Sequence, residues 1–194
     1  MGILNTLLWA FIGLLLTIAG TLLEAFIATP TGSWGAQAIQ VHTLGVKYQI
    51  GAVLLVGCLG GKNAALISQI AYLLLGLAGF RVFDQGGGFR YLMEPTFGYL
   101  LGFIPGAWVC GYLAFKAAPR LESLLFSCLC GLFSVHLVGV LYLLLTHTLG
   151  WITQTGMPLL QALMRYSIGP LPGQLAITCA VTVIAFTLRH LMFY

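Results

Sequence analysis

Apolar residues run through this chain in long unbroken stretches, broken by a few polar segments rich in glycine and proline. The stretches at 4–27, 50–60, 63–79, 96–115, 121–149 and 171–188 read as helices of a membrane protein, because crossing a hydrocarbon core takes about 20 apolar residues. A transmembrane β-barrel would instead alternate polar and apolar positions, which these stretches do not. The pattern predicts an all-α membrane protein with six transmembrane helices and two long outer loops, 29–48 and 150–170, built as a single domain over 1–194. No basic residue precedes Trp9, so the first stretch is expected to stay as a helix and not to be cleaved as a signal.

Composition sharpens this picture. Sixty per cent hydrophobic and six per cent charged residues exclude a soluble domain, in which about a quarter of residues carry charge. The net charge of +4 is scattered singly and forms no basic cluster suited to nucleic acid. Five cysteines, Cys58, Cys110, Cys128, Cys130 and Cys179, all fall in apolar stretches and read as small hydrophobes. Cys128-x-Cys130 lacks the second pair that a zinc site needs, so no metal is expected, and no cofactor. Gly60-Gly61-Lys62-Asn63 looks like part of a phosphate loop, but Val56 stands where that loop needs its first glycine and Asn63 where it needs Ser or Thr. It reads as a turn between helices, and an ATP-driven function would need an ATPase on another chain. No serine–histidine or paired-carboxylate arrangement suggests an enzyme.

The few polar groups gather at particular places. Lys47, Lys62, Arg81, Asp84, Arg90 and Glu94 flank or occupy a glycine-bearing loop, as expected of a polar site in a membrane protein. Gly13, Thr17, Thr21 and Ala25 recur every fourth residue on the first helix. Such a stripe admits another helix closely, either inside the bundle or as a docking face for a partner subunit. Glu24 either snorkels to the interface or pairs with a base such as Lys47. His136 and His147 share a face of the fifth helix and are expected to turn inward. Across the chain Lys62, Lys116, Arg120 and Arg189 fall on one side, and Lys47, Arg81, Arg90 and Arg165 on the other, so charge alone does not orient the protein.

The order VKYQIGAVLLVG, then SQIAYLLLGLAGFRVF, then GGG and EPTFGYLLGF resembles the BioY family over about residues 46–115, with a looser match over 170–189. BioY proteins are the biotin-binding S components of energy-coupling factor transporters. The resemblance implies uptake of biotin or a related small vitamin across a bacterial plasma membrane, with an energy-coupling transmembrane subunit and ATPase subunits as partners. It also implies that the four-residue stripe on the first helix docks the membrane partner. A biotin site needs a base for the carboxylate, apolar walls and partners for the ureido group. The residues expected to supply them are Lys47, Tyr48, Gln49, Asp84, Gln85, Gly86, Gly87, Arg90, Tyr91 and Gln174. The family's last helix commonly begins PGDxxK. Here Gln174 replaces the acid and Ile177 the base, so the carboxylate is expected at Arg90 first and Lys47 second. The alternative is a BioY-like subunit kept as a structural or assembly partner of a larger membrane complex.

Overall fold

The computed structural model describes residues 2–30, 39–84, 86–150 and 158–193. Helix α1 (Ile3–Leu22) leads into two antiparallel strands, β1 (Glu24–Pro30) and β2 (Ile39–Lys47). Helix α2 (Gln49–Leu77) follows, then a short 3-10 helix (Phe89–Met93), α3 (Phe97–Ala114) and α4 (Leu121–Thr148). The one-turn helix α5 (Leu159–Leu163) passes through a π turn (Met164–Ile168) before α6 (Leu171–Phe193). Among the described residues, five helices are long and apolar enough to cross a membrane, the last counted as one unit over Leu159–Met192.

Two expectations change. The stretch after the first helix is a strand pair where an open loop was expected, and α1 stops at Leu22, where Leu23 turns extended. The β-branched Ile27 and Thr29 favour the extended form, and Pro30 cannot sit inside a helix. In this ladder Glu24 stands opposite Lys47, although the Lys47 ammonium pairs elsewhere. The second change is that the latter part of the expected outer loop 150–170 is helical, α5 and the π turn running almost continuously into α6.

Helix α2 is a hairpin. Gly61 takes φ 76° and ψ 175°, which breaks the helix and suits a residue without Cβ. The two arms then run back along each other: a Cβ on Gly60 would touch Ala64, and Gln49 at the open end reaches Tyr72. The expected turn at Gly60-Gly61-Lys62 is therefore where the chain reverses.

Glycines set how closely the helices pack. A Cβ on Gly13 would lie 2.8 Å from Val56 on the first arm and 3.0 Å from Ser68 on the second, and one on Gly20 would lie 2.8 Å from the backbone of Gln49, so α1 lies directly on both arms of α2. A Cβ on Gly102 would lie 2.7 Å from the Val135 carbonyl oxygen, and one on either Gly106 or Gly131 would lie 2.9 Å from the carbonyl oxygen of the other. The α3–α4 contact is thus a backbone-to-backbone seam, the close approach small residues allow in lipid. The exposed side of α1 carries Leu4, Leu7, Leu8, Phe11 and Leu15, an apolar face suited to the bilayer.

Candidate binding cavity

Several separate segments meet around one cavity of about 450 Å³. The end of β2 brings Val46 and Lys47, and the first turn of α2 brings Gln49 and Ile50. Asp84 and Tyr91 come from the segment after α2, and Thr96, Tyr99 and Phe103 from the start of α3. The π turn adds Arg165 and Tyr166, and α6 adds Gln174. Gly173 makes this closure possible, since a Cβ there would sit 2.7 Å from Val46 and 2.8 Å from the Leu44 carbonyl. The glycine of the Pro172-Gly173 pair is needed for β2 to lie against α6.

The polar groups have distinct states. Lys47 forms an ion pair with Asp84 across the cavity mouth. Among the described residues no carboxylate pairs with Arg165, whose guanidinium lies 5.9 Å from the Tyr166 ring, so it keeps charge for an anion. Gln49 donates to Tyr72 Oη at 2.9 Å, and Thr96 donates to Tyr91 Oη at 3.2 Å. Burial pushes the Tyr91 phenol above its ordinary pKa, so it is a neutral hydroxyl at physiological pH. Tyr99 hydrogen-bonds Ser167 and meets His136 edge-on, with ring centroids 5.7 Å apart. His136 in turn lies 2.6 Å from the Gln174 side-chain oxygen.

Of the residues expected from sequence, Lys47, Gln49, Asp84, Tyr91 and Gln174 line the cavity. Tyr48, Gly86, Gly87 and Arg90 are not among its lining residues, and Gln85 lies outside the described residues. Arg90 is exposed in the 3-10 helix, whose neighbouring Tyr91 is the residue turned inward, so the first choice of base shifts to Arg165. The glycine run has a packing role. The Gly88 amide donates to the Gly76 carbonyl at 2.7 Å, and a Cβ on Gly87 would lie 2.2 Å from the Phe80 carbonyl. Phe83, stacked over Gly76, and Tyr91 are both buried, so this segment is packed down and is not an open lid. Ile177 is buried against Gly51, away from the cavity lining. Tyr99, Phe103, Thr96 and Tyr166 were missed; the four-residue spacing of Tyr99 and Phe103 on one helix face was the available signal.

The expected stripe also resolves into contacts, with Gly13, Thr17 and Thr21 on α1 but Ala25 on β1, beyond the helix end. Thr17, Thr21 and Ala25 are buried, and Gly13 faces Val56 and Ser68. The Gln69 amide donates to Thr17 Oγ1 at 3.1 Å, and Thr21 lies 3.2 Å from Tyr72 Oη. The stripe is used inside the chain, the packing alternative, and does not lie open for a partner.

The profile of the BioY family matches residues 6–193. This chain belongs to the BioY family. It is 42% identical over 96 residues to a probable biotin transporter BioY of Lysinibacillus sphaericus, covering 49% of each chain. To the biotin transporter BioY of Thermotoga maritima it is 38% identical over 113 residues, 58% of this chain and 65% of that one. An uncharacterized 21.2 kDa protein of Cyanophora paradoxa is 29% identical over 96% of this chain and 95% of its own. The crystal structure of the S component for biotin from an ECF-type ABC transporter shares the fold, with a TM-score of 0.69 and 22% identity over 96% of this chain and 92% of that one. The chain is thus a multi-pass helical membrane protein that shares the fold of that S component.

Proposed function

We propose that this BioY-family chain is the membrane-embedded biotin-binding subunit of an uptake system. Its partners are an energy-coupling transmembrane subunit and ATPase subunits, and its setting is a bacterial plasma membrane. Each arm of α2 counts as one span, which makes six, with the strand pair and the Asp84–Tyr91 segment on the outer side. One observation carries the reading: a single cavity of about 450 Å³ holds an uncommitted guanidinium, an ion pair, a carboxamide and aromatic walls. That volume lies in the usual range for small-molecule sites, roughly 300–1,000 Å³. A molecule with a carboxylate, an apolar ring and a ureido group would engage each of these. Arg165 takes the carboxylate, since a guanidinium meets it with two parallel hydrogen bonds.

Calorimetry with biotin on the purified protein tests this. Removing the partner of a desolvated carboxylate costs about 2–5 kcal/mol, so Arg165→Ala should weaken binding by roughly thirty-fold or more. Lys47→Ala should cost less, because Asp84 already neutralises that ammonium, and Arg90→Ala should leave affinity unchanged. Folded wild-type protein that binds no biotin would reject the uptake reading.

A further inference from the structure

Gln174 stands on the first turn of α6, and its side-chain oxygen lies 2.6 Å from Nε2 of His136 on α4. The other ring nitrogen, Nδ1, is buried and has no hydrogen-bond partner. Together these facts assign the protons, which follow from the network and not from the ring alone. With the proton on Nε2, His136 donates to Gln174 Oε1, and only a lone pair on Nδ1 goes unmet. In the opposite arrangement the carboxamide turns to donate to Nε2, and a buried N–H at Nδ1 is left with no acceptor. Orphaned buried N–H groups are rarer than unmet acceptors. A doubly protonated ring would bury that same N–H together with a charge.

The Gln174 oxygen is therefore occupied. Its NH₂ has no protein acceptor among the described residues, and Gln174 lines the cavity. We infer that His136 is a positioning residue that fixes Gln174 as a hydrogen-bond donor toward the ligand, so the site recognises an acceptor there: the carbonyl oxygen of a cyclic urea. This rests on the biotin-uptake reading, in which Arg165 holds the carboxylate. The aspartate of the family motif can only accept when ionised and would take the urea N–H instead. The substitution thus inverts the polarity of this point of the site, and His136 holds the inverted form in place.

The test uses full-length protein with biotin and 2-iminobiotin, whose guanidinium at neutral pH offers only donors where biotin offers its urea carbonyl. Wild type should bind biotin and discriminate against iminobiotin, and Gln174→Glu should reverse that preference. His136→Phe keeps a ring beside Tyr99 but loses the N–H. It should weaken biotin roughly ten-fold, the scale of one hydrogen bond, and shrink the discrimination, while His136→Gln should restore it. A purely structural role would weaken both ligands equally and would overturn the inference. Biotinamide checks which oxygen is read: Gln174→Leu should cost as much on biotinamide as on biotin, and a cost that vanishes would move the contact to the carboxylate and overturn the urea assignment. Nitrogen-15 shifts of His136 should report the neutral Nε2–H form, and an Nδ1–H form would overturn the positioning argument without any ligand. Equal affinity for biotin and iminobiotin overturns the donor assignment and leaves uptake standing. No binding of biotin by folded protein overturns uptake and the urea assignment together.

Discussion

Two polar regions lie inside this apolar bundle, and they differ in whether their hydrogen bonds close. Between α1 and α2, Thr17 donates to the Gly13 carbonyl at 2.8 Å, Thr21 to the Thr17 carbonyl at 2.9 Å, and Gln69 to both Thr17 and Ser68 at 3.1 Å. Tyr72 completes the layer by donating to the Val82 carbonyl at 2.9 Å. Nearly every group there is answered by the chain itself; the Gln69 oxygen is the exception. Around the cavity, by contrast, Arg165 and the NH₂ of Gln174 have no protein hydrogen-bond acceptor among the described residues. In a membrane an unanswered polar group is costly. Polar residues alone therefore do not mark a site here; polar residues left open do.

Substitutions on either side can break or sharpen that contrast. The largest effect is expected at Thr17→Leu, which forces a larger side chain into a fully buried position and removes one of the two acceptors of the Gln69 amide. It should cost about 2–4 kcal/mol of stability, seen as a lower unfolding temperature in detergent. Unchanged stability with loss of a partner subunit would return the stripe to a docking role. Tyr72→Phe comes next and tests where the two regions meet, since its hydroxyl also receives the Gln49 amide from the cavity wall. A stability loss of about 1–2 kcal/mol should be accompanied by a few-fold loss of biotin affinity. Affinity that stays unchanged would show the two regions to be independent. The smallest effect is expected at Asp84→Asn. The Lys47–Asp84 pair is partly exposed, so stability should change by less than about 1 kcal/mol. Freed from its partner, Lys47 should draw an anionic ligand a few-fold more tightly, and weaker binding would mean that the pair acts as a unit.

Much of the architecture was legible because lipid leaves the backbone few choices: long apolar runs must be helices, and their order came through, with α2 covering two of the expected runs. The turn at Gly60-Gly61-Lys62 was readable from its glycines. The strand pair was not, because Glu24–Pro30 is a mixture of apolar and small residues whose extended form depends on pairing with β2. At the site, Lys47, Asp84, Tyr91 and Gln174 were recognisable as rare polar groups within a family pattern. Arg90 and Arg165 could not be told apart by sequence, since both are single bases in connecting segments. What separates them is the local helix: the 3-10 turn spends its inward position on Tyr91, and the π turn brings Arg165 to the cavity. The small-residue stripe left packing and docking open for a similar reason. Small residues at four-residue spacing specify close approach but not which helix approaches.

The elbow at Gly61 has a consequence for the surrounding lipid. Its arms, Gln49–Gly60 and Lys62–Leu77, span roughly 18 and 24 Å at 1.5 Å per residue, against a hydrocarbon thickness of about 30 Å. Helix α4, at roughly 42 Å, overshoots the same thickness. With each arm taken as one span, as proposed above, neighbouring elements would mismatch the bilayer in opposite senses, and the lipid is expected to form a dimple where the elbow stops short. Lys62 and Lys116 sit there, 5.4 and 5.8 Å from the Tyr112 ring, and the dimple lets headgroups and water reach down to their charges. A thicker membrane would have to deform further at this one corner, so the elbow sets how well the protein fits the bilayer that holds it.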